Sequence, residues 1–143
     1  MRKSKKEKHA DLLRAHGLKM TPKRLQLLSI LARIKRPLSA HEILKNWSQD
    51  GTDVVTLYRA LEALTAASIV RRVNLQHGHA DYELVTPGKH HHHLVCTDCG
   101  TIENIKGCPG DRTEKSVLRK STRFSSIREH SFEFFGTCRA CAA

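Results

Sequence analysis

The sequence predicts an α+β chain in two modules, helices first and strands after, and three observations say so. Apolar residues recur at helical spacing up to about Ala67. From Ser68 onward they fall into short alternating runs separated by turn residues. Two Cys-x-x-Cys pairs then bracket the last third of the chain.

The elements follow in order. A weakly patterned helix is expected over roughly Lys5 to Ala15. In MTPKRLQLLSILARI, Thr21 can cap, Pro22 suits the first helical position, and Leu25, Leu28 and Leu31 recur on one face. In SAHEILKNW, Ser39 is the cap, and Ala40, Ile43, Leu44 and Trp47 repeat at helical spacing. DVVTLYRALEALTAA gives an inward stripe of Val54, Leu57, Leu61 and Leu64. That stripe leaves Thr56, Arg59 and Glu62 outward, with Tyr58 at its edge. IVRRVNL and ADYELV, joined by QHGH, read as a hairpin. Helices followed by a hairpin describe a winged helix-turn-helix, assigned to residues 1–85. Residues 86–89, around Thr86, Pro87 and Gly88, form a hinge. The second module, 90–143, has strands in HHHHLVC, TIENI and SIREHSFEFF around a helix from about Asp111 to Lys120. Asp111 and Glu114 stand at capping-box spacing there.

Charge is distributed unevenly. Residues 1–50 hold 13 Lys/Arg against 4 Asp/Glu, out of a formal net charge of +11 for the whole 143 residues. A basic first third points to a polyanion, most often nucleic acid. The basic start MRKSKKEKHADLL has no apolar run behind it, and no segment reaches a membrane-spanning length. A cytoplasmic protein without a membrane partner is expected. Its five cysteines then argue for metal binding or reactive thiols, not a disulfide framework.

Spacing decides between those two. Cys96 and Cys99, and Cys138 and Cys141, are two knuckles separated by 38 residues, which is the pattern of a four-thiolate structural zinc. A thioredoxin-like redox motif needs one such pair at a helix start. Cys108 is left over as a spare thiol. Next to the first knuckle stands the run His90, His91, His92, His93. On a strand, successive side chains point to opposite faces, so the run makes two pairs, His90 with His92 and His91 with His93. Each pair can give two imidazoles to a separate ion, and Glu83, Glu103, Glu114 and His130 are available to complete the sites. Mixed nitrogen and oxygen donors accept iron, zinc, manganese or nickel.

Together, GLKMTPKRLQLL, LSAHEIL, VTLYRALEAL, DYEL, HHHHLVCTDCG and HSFEFFGTCRAC resemble the ferric uptake regulator family, from about Leu12 to Cys141. The resemblance implies a homodimer with an amino-terminal winged helix and a carboxy-terminal α/β dimerisation domain, whose metal-loaded form binds a double-stranded inverted-repeat operator and represses transcription. It implies DNA contacts from Tyr58 and Arg59, with neighbouring Thr56, and from Lys19. Cys96, Cys99, Cys138 and Cys141 match the structural Zn(2+) site. Glu83, His91 and His93, with Glu103, match a regulatory site for Fe(2+) or Zn(2+). His90, His92, Glu114 and His130 match a second site. Two positions depart from the family: Pro37 stands where many members have a histidine, for which His41, His77 or His79 could substitute. Asn104 stands where a carboxylate is frequent, Glu103 being the nearest. Peroxide sensing and nickel or manganese sensing are alternatives within the family. A zinc metallohydrolase is the alternative from another class, against which stand the missing HExxH and the lack of a nucleophile arrangement. The chain is therefore expected not to be an enzyme.

Overall fold

The computed structural model describes residues 4–47, 51, 53–86, 91–108 and 110–143. The expected hinge residues Pro87, Gly88 and Lys89, and His90 of the proposed second site, lie outside them. The chain divides into two compact units, the first ending at Val85 and the second beginning at Thr86. Among the described residues no helix is long and apolar enough to cross a membrane.

The first unit starts with α1 (Lys5–Ala15), α2 (Pro22–Ile34), β1 (Leu38–Ser39), α3 (Ala40–Asn46) and α4 (Val54–Ala66). Each helix begins where a side chain can take up otherwise unpaired backbone N–H groups. Thr21 Oγ1 accepts from the N–H of Arg24 at 3.3 Å. Ser39 and Glu42 exchange hydrogen bonds as a capping box, at 3.2 and 2.9 Å. Asp53 accepts from the N–H of Thr56 at 2.6 Å, and that donor holds its carboxyl below the usual carboxylate range. The leucine stripes then meet in one core of Leu13, Leu27, Leu28, Ile43, Leu57, Leu61 and Leu64.

A three-stranded sheet of order β1-β3-β2 closes this unit, with β2 (Val70–Asn74) and β3 (Ala80–Leu84) antiparallel. Ile69, Val70 and Tyr82 carry the hairpin onto the helices. One expected core residue is corrected. Val54 is 51% exposed, because it opens α4 one turn before Leu57 reaches the core.

The second unit holds β4 (His91–Cys96), β5 (Ile102–Lys106), α5 (Gly110–Lys120) and β6 (Glu133–Gly136). Its sheet has the order β5-β4-β6, with β4 central, antiparallel to β5 and parallel to β6. Two expectations change here. The strand expected over SIREHSFEFF forms only from Glu133, because the residues ahead of it turn His130 toward α5 instead of along β4. The helix begins at Gly110, so Asp111 lies inside it, and Glu114 bonds His130.

The buried interior of this unit is unusual in kind. Among its described residues the buried apolar side chains are Val95 and Cys96, beside the buried His92 and His93. So small an apolar core cannot hold three strands and a helix on burial alone.

Candidate metal centres and nucleic-acid interface

The thiols gather because the sheet brings the two knuckles to one end. Cys96 ends β4, and the chain turns through Gly100, whose φ of 74° returns the backbone so that its N–H meets Cys96 O at 2.9 Å. Two residues beyond β6, Cys138 donates its N–H to Cys96 Sγ at 3.2 Å. Cys99 Sγ lies 3.7 Å from Cys138 Sγ, and the four sulfurs lie within 4.8 Å of one another. A tetrahedron with zinc–sulfur bonds of about 2.3 Å has edges of about 3.8 Å, so the donors fit one zinc ion.

The electrostatics of the group agree. Backbone N–H donors, that of Cys138 first, pull the Cys96 thiol down to about 6. Interaction with the thiols of Cys138 and then Cys99 pushes Cys141 up to about 12. Four thiolates this close need a cation between them.

The histidine run divides by face. The His91 and His93 rings lie 5.2 Å apart on one side of β4. His92 faces the other, with its ring 5.6 Å from His130 and 5.1 Å from Phe132. His93, fully buried, has Nδ1 at 2.9 Å from Glu133 Oε2. A carboxylate only accepts, so this contact puts the proton on Nδ1 and leaves Nε2 as the metal donor. Glu133 was not among the sequence candidates. Its parallel register with His93, across 40 residues, is what brings it there.

The register also corrects Glu103. It pairs with Leu94 on β5, which puts it on the face opposite His91 and His93, and Asn104 is the residue opposite His93. No bulge intervenes to present it. Glu83 is buried on β3 of the first unit, where Arg71 Nε donates to its Oε1 at 2.5 Å and Arg71 Nη2 joins the same oxygen.

On the His92 face, Cys108 and His130 complete a second group. The donor atoms of His92, Cys108 and His130 lie within 4.8 Å of one another, with Cys108 Sγ 2.9 Å from His130 Nε2. His130 Nδ1 meets Glu114 Oε1 at 2.5 Å, which again leaves Nε2 to face the donor set. The structure therefore places Glu114 behind His130 and puts the spare thiol, Cys108, among the donors. A single thiol 22 residues before its histidine carries no spacing signal.

Gly110 makes room for this group. A Cβ there would stand 2.5 Å from His130 Cε1 and 2.7 Å from Cys108 Sγ. Gly110→Ala is expected to weaken zinc binding at these donors by on the order of 10–100-fold, the loss typical of disturbing groups that orient a ligand. Competitive zinc titration, with the cysteine cluster already loaded, measures it.

The outer face of α4 completes the sites. Tyr58 is 44% exposed, Arg59 and Glu62 are exposed, and Thr56 is half-buried in the first turn. Lys19 is exposed ahead of α2, and its carbonyl accepts from Arg24 Nη1 at 2.8 Å. Pro37 is buried just ahead of β1 and His41 is exposed on α3.

Comparison with known proteins gives a consistent result. Residues 15–135 match the ferric uptake regulator family. The chain is 33% identical over 132 residues to the ferric uptake regulation protein of Legionella pneumophila, covering 90% of this chain and 95% of that protein. It superposes on the crystal structure of the Vibrio cholerae ferric uptake regulator with a TM-score of 0.76 and 31% identity, covering 90% and 98% of the two chains. The Pseudomonas aeruginosa ferric uptake regulator, solved with manganese, gives a TM-score of 0.72 at 28% identity, covering 92% and 98%.

Proposed function

Since the chain belongs to the ferric uptake regulator family, we propose that it is a cytoplasmic metal-dependent repressor that binds an inverted-repeat operator as a homodimer. The observation that carries this is the exposed face of α4, where Tyr58 and Arg59 stand clear of a core formed by Leu57, Leu61 and Leu64. A helix so presented can enter a major groove, with the β2–β3 hairpin along the backbone. The basic first fifty residues, Lys19 among them, supply phosphate contacts. Exposed Leu94 and Phe134, side by side on one face of the second sheet, support a partner subunit there.

Two kinds of ion follow from the donors. The thiolate set takes a permanent Zn(2+), closed to substrate by its four protein ligands. His91 and His93, with Glu133 behind His93, offer nitrogen donors to an exchangeable Fe(2+) or Zn(2+). Glu83 stays in that ligand set on donor chemistry. A regulator and not an enzyme is the reading these sites favour.

The test is operator binding by the purified protein with and without added iron, zinc, manganese or nickel. Metal-stimulated binding to an inverted repeat is expected, and identical affinity under all conditions would falsify the reading. Within it, Arg59→Ala should cost about 1–3 kcal/mol of operator affinity and relax discrimination at one base pair. Equal losses on operator and random DNA would remove Arg59 from base readout.

A further inference from the structure

The turn between β2 and β3 holds a group of side chains that none of these sites uses. Asn74 Oδ1 accepts from the N–H of Gln76 at 3.1 Å, and the turn then brings His77 and His79 back over the start of β3, where Asp81 points toward them. His77 Nδ1 lies 3.1 Å from His79 Nε2. His77 Nε2 lies 3.5 Å from Asp81 Oδ2, and His79 Nε2 lies 3.6 Å from Asp81 Oδ1.

Burial makes this arrangement informative. The Asp81 side chain is 1% exposed, yet its Oδ2 has no hydrogen-bond partner among the described residues. The His77 Nε2 facing it is likewise buried without one. Native structures seldom leave two apposed buried polar atoms unsatisfied, and a missing ion is one standard explanation. The separations suit one. Taking one donor atom from each residue, the three lie within 4.8 Å of one another, near the edges of about 3.3–3.4 Å that bonds of about 2.0–2.1 Å to a tetrahedral zinc require.

We propose that the tip of this hairpin is a divalent metal site formed by His77, His79 and Asp81, for a first-row transition ion such as zinc. Two imidazoles and a carboxylate are borderline donors, so the site selects by geometry and supply more than by softness. It is an open site. His79 is half exposed, and a hollow of about 560 Å³ lined by Arg72, Asn74, Gly78, His79 and Ala80 leaves room for water in the remaining position. All three ligands come from one hairpin, so the ion would fix the turn to its own strand.

The experiment uses the full chain with its cysteine cluster loaded and needs no DNA, so its result is independent of the repressor reading. Zinc chloride is titrated against a competing chromophoric chelator for the wild type and for His77→Gln, His79→Gln and Asp81→Asn. Each histidine variant is expected to bind one zinc equivalent fewer, and Asp81→Asn to bind that equivalent at least tenfold more weakly. His79 is exposed enough for His79→Gln to leave the fold intact, which a thermal melt verifies. In parallel, zinc should shift the imidazole resonances of His77 and His79 in the wild type. Wild-type stoichiometry and affinity in His79→Gln, or imidazole resonances that do not move, overturn the proposal.

Discussion

Cys96→Ser or Cys138→Ser is expected to remove about one zinc per chain and unfold the second unit while the first unit still melts as a folded body. The second unit owes this sensitivity to its interior, where, among the described residues, Val95 and Cys96 are the buried apolar side chains and His92 and His93 the other buried ones. Metal binding energy there is folding energy. The first unit keeps its leucine core in either variant. Metal analysis with limited proteolysis checks both halves of the expectation, and full zinc content with a protected second unit in either variant would sink it. Acid should act the same way. Protons compete with zinc for the four thiolates, so zinc retention should fall as the solution is acidified.

The second large effect is expected from the histidine strand. His93→Ala should abolish metal-activated operator binding while leaving the thiolate zinc in place. His92→Ala should weaken activation less and lower the melting temperature more. The two differ because they face opposite sides: His93 meets Glu133, and His92 packs against the rings of His130 and Phe132. By linkage, an ion that strengthens DNA binding is itself bound more tightly when DNA is present. Alanine variants of His91, His92 and His93, each measured for metal stoichiometry, melting temperature and operator affinity, decide the matter. Effects that group by sequence neighbour instead of by strand face would refute the alternation.

Much of this architecture was legible in the sequence because its signals are local. Thr21, Ser39 and Asp53 mark helix starts by side-chain reach over three residues, and the knuckles announce a metal by spacing alone. The alternation of His91, His92 and His93 needed nothing beyond a strand's period of two. What stayed hidden depends on register between distant segments. Glu133 reaches His93 only because β6 runs parallel to β4, and Cys108 reaches His130 only because the chain turns back past α5. Glu103 went wrong for the same reason, since the register that would exclude it cannot be read from one strand.

The parallel pairing of β4 with β6 also sets an order of events during synthesis. Their paired residues His93 and Glu133 are 40 residues apart, and at a typical elongation rate the ribosome needs roughly 2–8 s to deliver the second after the first. Once Lys106 has been added, the nascent β4 has one neighbour, β5, and Cys96 and Cys99 still wait for Cys138 and Cys141. The helical first unit is already complete at that point, its contacts closed by Val85. A chain that stalls in this window would therefore expose a strand edge and two reactive thiols beside a finished winged helix, and chaperone capture should be concentrated there.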